Sequence, residues 1–179
     1  AEGLVPDWPA PPSVRAVFTT RGQGADDGAS AAPFDFFNLG DHVGDDPAAV
    51  AANRERLRRV LDVRPIYLNQ VHGSEVLALH PDLPDGVRAD AALTDRAGLA
   101  CTVMVADCLP VLFTDLHGRA VAAAHAGWRG LAGGVLEATL DRFRSLAGMQ
   151  QAQAAINKEA DEIIAWLGPC IGPQAFEVG

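Results

Sequence analysis

Cysteine is scarce in this chain, and the few cysteines present are not spaced as pairs. The 179 residues contain three cysteines, an odd number scattered along the sequence, which excludes a disulfide framework. No Cys-x-x-Cys or His-x-x-x-His pair occurs, so the sequence lacks the local spacing of a closed structural zinc site. We therefore expect a protein of a reducing compartment, the cytoplasm.

Positive charge is also in short supply. The chain has 14 Lys and Arg residues against 23 Asp and Glu residues, which makes a net charge of -9. Proteins that bind nucleic acids need a basic face to meet the phosphates, so we expect no nucleic-acid partner. A small anionic substrate is compatible with this charge, because a few arginines can make one pocket locally positive.

Long apolar segments are absent too. The longest apolar run, residues 99–113, contains Asp107 and is shorter than the roughly 20 residues needed to cross a bilayer. The first residues also lack the basic start and the apolar stretch of a secretory leader. We expect neither a membrane span nor a membrane partner.

What the chain does have is apolar mass with regular periodicity. Hydrophobic residues make up 49% of the sequence, and a chain of this length fits one domain with a substantial core. Many short strand-like segments and two or three helices predict an α+β (mixed α/β) domain. The chain stops at what looks like the start of a strand, so we expect residues 1–179 to be a single domain that lacks its C-terminal part.

Caps and apolar spacing predict the helices. Asp46 as N-cap and Pro47 at the first helical position begin a helix over 47–61, whose arginines are expected to be solvated. Its predicted core face consists of Val50, Leu57, Val60 and Leu61. Residue 128 or 130 begins another helix to about 146, and residues 149–162 predict a more exposed one. The core face of the 128–146 helix is predicted to be Leu131, Val135, Leu136, Leu140 and Phe143.

Strands are predicted from apolar alternation and from short apolar runs bounded by turn residues. The segment from 66 to 79 contains two of them, around Gly73 and Ser74, as a hairpin or a bend. The predicted strands are 14–20, 66–72, 75–79, 90–94, 99–106, 110–115, 119–124 and 163–167.

The reactive side chains cluster in the stretch from Val103 to Gly130, where apolar strands end. Cys108 lies between two of these strands, and His125 leads from a third strand into a glycine-rich turn. A similar strand end carries His72. Thiolates and imidazoles are the usual ligands of zinc, and three protein ligands leave one position for water or substrate. We therefore predict that these three side chains converge on one metal ion.

Each of these residues also has a structural interpretation, which the sequence leaves open. Cysteine is readily buried as a small core residue, and a histidine after apolar residues can be a hydrogen-bonded core group. Cys101 is expected to face the core as an inert thiol, and Cys170 to be structural or to line a pocket. The remaining histidines, predicted to be at the surface, are His42, His80 and His117.

Two charged residues beside the predicted ligands suit a substrate site. Arg129 lies at the expected start of a helix, where backbone N–H groups and a guanidinium together favour an anion such as phosphate. Asp107 is a candidate to orient a ligand histidine or to move protons as a general acid or base. The alternatives are a surface arginine and an aspartate that caps a turn.

Short motifs follow one another along the chain. They are Asn38-Leu39-Gly40, Val43-Gly44-Asp45-Asp46-Pro47, Asn53-Arg54, Asn69-Gln70-Val71-His72-Gly73, Ala89-Asp90-Ala91, Ala106-Asp107-Cys108-Leu109-Pro110, His125-Ala126-Gly127-Trp128-Arg129-Gly130 and Gly168-Pro169-Cys170-Ile171-Gly172. In this order they resemble the YfiH-type laccase-domain family. The similarity runs from about Val17 to the last residue and departs from the usual pattern in the loop 22–30, which is longer and more acidic. Residues 149–162 match no part of that pattern.

The resemblance implies a fold and a chemistry. The fold is shared with the catalytic domains of bacterial cytotoxic necrotizing factors, a mixed β-sandwich core flanked by helices. The implied metal is zinc on His72, Cys108 and His125. The implied reactions are phosphorolysis of adenosine, inosine and methylthioadenosine and deamination of adenosine. Older family labels are copper polyphenol oxidase, so copper is the alternative cofactor, and bacterial members are linked to peptidoglycan editing.

The preferred hypothesis is a zinc-dependent purine nucleoside phosphorylase with adenosine deaminase activity, whose partners are a nucleoside and phosphate. Phosphate is assigned to Arg129, with Arg21 and Asn38 as lesser candidates. Asp107 would move protons. The oligomer is expected to be a monomer or a homodimer.

Three alternative functions differ in the side chains that they require. A cysteine hydrolase that edits muramyl peptides would use Cys108 as nucleophile and His125 as base. A multicopper polyphenol oxidase needs more histidines than five scattered ones with no His-x-His pair. A non-catalytic zinc module would need Cys170 as a fourth ligand.

Overall fold

The computed structural model describes residues 3–148 and 162–177. The chain forms two compact units, one of Ala1–Asp7 with Ala16–Arg64 and one of Trp8–Arg15 with Pro65–Gly179. We treat each unit by itself. Helices and strands together confirm the predicted mixed α/β class. The single-domain assignment and the likeness to the toxin fold stay predictions.

The first unit consists of a two-stranded antiparallel sheet, one long helix and the loops between them. Strands β1 (Gly3–Leu4) and β2 (Phe18–Thr19) pair in register, so the strand predicted over 14–20 is much shorter than expected. Helix α1 (Pro47–Leu61) matches its prediction at both ends. The Asp46 carboxylate accepts a hydrogen bond from the backbone N–H of Ala48 and caps the first turn.

The buried face of α1 is more polar than predicted. Val50 and Leu57 are buried as expected, but Val60 is 74% exposed, so its core assignment is wrong. Hydrogen bonds between the loop over 26–39 and α1 involve Asn53, Arg54 and Arg56, and Val60 lies one turn beyond them. Arg54, predicted to be solvated, has a side chain only 16% exposed.

Asn53 organises the loop that covers α1. Its side-chain oxygen accepts from Ala29 N–H at 2.8 Å, and its amide group donates to Ser30 Oγ and to the carbonyls of Phe36 and Asn38. The residue is 1% exposed. This buried asparagine therefore satisfies the backbone of an irregular segment that forms no sheet of its own.

Replacing Asn53 with alanine should destabilise the protein by about 3 kcal/mol, because several buried partners lose their hydrogen bonds together. Urea unfolding followed by circular dichroism measures this. Arg59→Ala is the matched control on the same helix. Its side chain is 68% exposed, and loss of its ion pair should cost under about 0.5 kcal/mol. Equal midpoints for the two variants would contradict the assigned role of Asn53.

The second unit is layered around a five-stranded mixed sheet and a smaller three-stranded sheet. The strands are β3 (Arg64–Asn69), β4 (Val76–Ala78), β5 (Val87–Arg88), β6 (Ala91–Thr94), β7 (Leu99–Thr102), β8 (Leu109–Asp115), β9 (Val121–Ala126) and β10 (Ile163–Leu167). The strand order of the larger sheet is β10, β8, β9, β6, β4, in which β4 and β6 are parallel and the other neighbours antiparallel. The smaller sheet has the order β5, β3, β7.

Both faces of the five-stranded sheet are covered. Ala91 and Leu93 of β6 belong to the core under helix α3 (Val135–Leu146), whose Val135 and Phe143 are fully buried. Ala92, which points to the opposite face, packs with β3 and β7 of the smaller sheet. Burial on two sides explains why the central strands consist of small apolar residues rather than alternating polar ones.

Two predictions for this unit are confirmed only in part. The segment 66–79 is not a hairpin, because β3 and β4 belong to different sheets, and the predicted alternative, a bend, is found at residues 72–73. The strand predicted over 99–106 ends at Thr102. The Gln70 side chain donates to the carbonyl of Met104 and accepts from its N–H, both at 2.7 Å. A side-chain amide thus takes the place of a strand partner at that position.

The helix predicted over 128–146 is broken into α2 (Trp128–Ala132) and α3. Gly134 stands between them with a φ of +84°, a conformation that glycine adopts without steric cost. Leu131, predicted to face the core, is 46% exposed because it belongs to α2. The helix predicted over 149–162 lies outside the described residues except for Glu162, which is not helical.

The last predicted strand, over 163–167, is confirmed as β10.

Among the described residues, none of the helices combines the length and the apolar character needed to cross a membrane.

Candidate metal centre

Register within the second unit brings Cys108 and His125 together. Pro110 of β8 lies opposite His125 of β9, so Cys108, which immediately precedes β8, arrives at the same end of the sheet. His72 comes from the loop that follows β3. Since β8 and β9 are antiparallel, the start of one strand meets the end of the other, and Cys108 and His125 therefore lie at the same edge of the sheet.

The three predicted ligands converge. One ligand atom from each of His72, Cys108 and His125 lies within 4.8 Å of the others. Cys108 Sγ is 3.8 Å from His72 Nε2, and the two imidazole rings are 4.7 Å apart, edge to face. His125 is 3% exposed, Cys108 is half-buried and His72 is exposed. The cluster is therefore buried on the side of His125 and exposed on the side of His72.

Sequence reasoning missed Asp90, which lies directly beneath the cluster and is fully buried. Its Oδ1 is 2.9 Å from Nδ1 of His125 and accepts from His72 N–H at 2.8 Å. Its Oδ2 accepts from the N–H groups of Val71 and Gly73. The available signal was a lone carboxylate at the head of the apolar segment Ala91–Thr94.

The glycines of the turn after β9 allow the backbone to approach the ligands closely. A Cβ on Gly127 would lie 2.8 Å from His72 Cδ2 and 3.0 Å from Cys108 Sγ. A Cβ on Gly130 would lie 2.9 Å from the carbonyl oxygen of Gly73. Both positions exclude a side chain, which accounts for the glycine spacing of this turn.

The electrostatics of the cluster fit a cation. Burial, then the charge and hydrogen bonding of Asp107, then the charge of Asp90, raise the pKa of Cys108 above its ordinary value. The surroundings therefore oppose a bare thiolate, whereas a cation bound to the sulfur would offset both carboxylates. Two imidazoles and one thiol form the donor set preferred by zinc. These observations agree with a metal site on His72, Cys108 and His125.

The charged residues predicted to serve the substrate differ in their surroundings. Asp107 is exposed beside Cys108, which suits a proton carrier. Arg129 is exposed, and its guanidinium carbon lies 4.5 Å from the ring centroid of Trp128. Helix α2 has only five residues, too few for the dipole contribution that the sequence predicted, so any attraction for an anion comes from the Arg129 charge.

The two lesser phosphate candidates belong to the first unit and already make contacts there. Arg21 donates to the carbonyl of Asp35 at 2.6 Å and lies 3.5 Å from its carboxylate. The Asn38 amide donates to the carbonyl of Gly40 and to Asp45. Their substrate roles stay predictions.

The remaining cysteines are separate from the cluster. Burial raises the pKa of Cys101 to about 12, which agrees with the predicted inert thiol. Cys170 is exposed and is not among the clustered ligands. Within residues 3–148 and 162–177, the group therefore offers three protein ligands and no fourth. The three other histidines are exposed, as predicted.

Comparison with known proteins agrees with the family resemblance. The family model described as multi-copper polyphenol oxidoreductase laccase matches residues 15–179. A protein of Pseudomonas aeruginosa named purine nucleoside phosphorylase is 53% identical over 98% of this chain, and Escherichia coli YfiH, with the same enzyme name, is 48% identical over 98%. The chain spans 65% and 66% of the lengths of these two relatives.

Two solved structures agree with both the fold and the family. A protein of Neisseria meningitidis superposes with a TM-score of 0.83 at 46% identity, covering 99% of this chain and 66% of its own. YlmD of Geobacillus stearothermophilus superposes with a TM-score of 0.71 at 31% identity, covering 90% of this chain and 60% of its own. The chain therefore belongs to the multi-copper polyphenol oxidoreductase laccase family, and Escherichia coli YfiH is one of its relatives.

Proposed function

We propose that this chain carries the metal centre of a zinc-dependent purine nucleoside phosphorylase. The observation that carries the proposal is the convergence of His72, Cys108 and His125 within 4.8 Å, open on the side of the exposed His72. The enzyme name of relatives that are 48% and 53% identical supports the substrate class. Adenosine, inosine and methylthioadenosine are the proposed nucleosides, and phosphate is the second substrate.

The three side chains would hold zinc with one position left for a non-protein ligand. When bound, zinc supplies Lewis acidity and lowers the pKa of a coordinated water toward neutrality. Copper is the alternative that the family description names. A multicopper site needs several metal positions, and the residues that the structure describes contain one three-ligand group. We therefore favour a single zinc.

Phosphorolysis requires a phosphate oxygen to attack the sugar carbon as its bond to the purine nitrogen breaks. The positive charge that develops on the sugar is stabilised mainly by orientation and electrostatics. Arg129 is the proposed phosphate ligand, because it is exposed and lies two residues after Gly127, which borders the cluster. Asp107, exposed beside Cys108, is proposed to give a proton to the departing base.

Deamination of adenosine is proposed as a second activity of the same site. It needs water to add to the purine carbon that bears the amine, and a proton to reach the leaving ammonia. Asp107, which is exposed beside Cys108, is proposed to move that proton. A cytoplasmic location and a monomeric or homodimeric state remain predictions from the sequence.

The purified protein with its measured zinc content tests the proposal. Inosine incubated in phosphate buffer should yield hypoxanthine and ribose 1-phosphate, and adenosine should yield adenine and inosine, all separated by liquid chromatography. Removing phosphate should abolish only the phosphorolysis products. A protein that contains zinc but leaves both nucleosides unchanged would overturn the proposed function.

A cysteine hydrolase acting on muramyl peptides is the second candidate. It is favoured by the 3.8 Å contact between Cys108 Sγ and His72 Nε2, which is a thiol and a potential base close together. His125 was the expected base, and it also stays a candidate, because the contact of its Nδ1 with Asp90 leaves Nε2 as the basic nitrogen. A chelated, zinc-free protein should then retain amide cleavage, whereas the phosphorylase should lose all activity.

A further inference from the structure

Asp90 makes more contacts with the candidate metal centre than any sequence pattern indicated. The residue is fully buried, and its two carboxylate oxygens together meet three backbone N–H groups and one imidazole nitrogen. Three of these four partners are backbone N–H donors, and a carboxylate accepts hydrogen bonds through both of its oxygens.

The contact with His125 concerns the tautomer of its ring. Nδ1 of His125 lies 2.9 Å from Asp90 Oδ1, a distance at which a proton on Nδ1 would be donated to the carboxylate and would leave the lone pair on Nε2. The His125 backbone N–H also donates to the Asp90 carbonyl at 2.7 Å. These two bonds fix the ring orientation as well as the backbone of the ligand.

The contact with the His72 loop fixes a second ligand. His72 has a φ of +59°, a left-handed conformation that is uncommon for a residue with a side chain. The N–H groups of Val71, His72 and Gly73 all donate to the Asp90 carboxylate, at 3.2, 2.8 and 2.8 Å. Three successive N–H groups around one anion hold the loop in this strained form.

We propose that Asp90 is the positioning residue of the metal centre: one carboxylate selects the Nδ1–H tautomer of His125 and holds His72 in its left-handed conformation. Both imidazoles then present their ligand nitrogens before a metal arrives. The inference rests on the metal site of the proposed function, and it assigns no contact between Asp90 and substrate. Mutation of a residue that hydrogen-bonds a metal ligand typically lowers the metal affinity by about 10- to 100-fold.

The test compares Asp90→Asn with Asp115→Asn. Asp115 is also fully buried and accepts from a backbone N–H, but it lies at the far end of β8 from Cys108. An asparagine at 90 has only one acceptor oxygen, so it cannot satisfy all four donors. Zinc affinity, measured by competition with a chromophoric chelator, should fall at least about tenfold in Asp90→Asn and stay within about twofold in Asp115→Asn.

A second measurement uses the unmodified, metal-free protein and so does not depend on the variant folding. Nitrogen-15 NMR of the imidazole groups should show His125 protonated at Nδ1 and bare at Nε2. A proton on Nε2, or a folded Asp90→Asn protein with unchanged zinc affinity, would overturn the inference. If the unmodified protein holds no zinc while the Nδ1–H tautomer is present, the proposed function fails but the positioning of His125 by Asp90 is supported.

Discussion

Replacing Cys108 with alanine should reduce the zinc content from about one ion per chain to almost none. Cys108 is the only thiol in the three-ligand group, and loss of a mere supporting contact already weakens metal binding by about 10- to 100-fold. Loss of a ligand should therefore lower zinc affinity by more than about 100-fold. Inductively coupled plasma mass spectrometry of the purified variant measures the metal, and phosphorolysis of inosine should disappear with it.

Cys170→Ala is the matched control for that experiment. Its thiol is exposed and lies outside the ligand group, so zinc content and nucleoside turnover should equal those of the unmodified protein. A Cys108→Ala protein that keeps stoichiometric zinc would show that the metal is held elsewhere. Loss of zinc from Cys170→Ala would support the alternative of a structural zinc site in which Cys170 is the fourth ligand.

Replacing Gly127 with alanine should disrupt the centre with little effect on the rest of the fold. The backbone at Gly127, with a φ of -63°, is one that any residue adopts, so the change introduces no backbone strain. The new methyl group would instead lie 2.8 Å from His72 Cδ2 and 3.0 Å from Cys108 Sγ. Because the atoms that must move are those of two ligands, zinc affinity should fall at least about tenfold.

Gly172→Ala provides the comparison for Gly127→Ala. A Cβ at Gly172 would have no atom within 4 Å, so this variant should bind zinc and turn over inosine normally. Thermal unfolding of the metal-free proteins should be similar for both variants. If Gly127→Ala binds zinc as tightly as Gly172→Ala, the close approach of the turn to the ligands is not what shapes the site.

Local signals predicted the elements whose stability depends on near neighbours. Helix α1 was predicted at both ends because Asp46 and Pro47 form a cap that acts within one turn. Strand β10 was predicted because its run of apolar residues is short and bounded by a Gly-Pro turn. In both cases the deciding interactions lie within a few residues along the chain.

Predictions were wrong where a distant group intervened. The amide of Gln70 bonds the backbone of Met104, 34 residues away, and ends a strand that apolar periodicity alone would continue. The break between α2 and α3 occurs at a left-handed glycine, although the apolar spacing runs through it. Periodicity reports which residues are apolar, but it does not report which partner each backbone group finds.

The residue types and strand-end positions of His72, Cys108 and His125 predicted that the three side chains meet, because imidazoles and thiolates are the usual ligands of zinc. Tertiary structure decided how they meet. The pairing of β6 with β9 sets Ala91 opposite Ala124 and so places Asp90 beside His125. No local pattern contains that juxtaposition, because the two residues are 35 positions apart and their contact depends on the alignment of two whole strands.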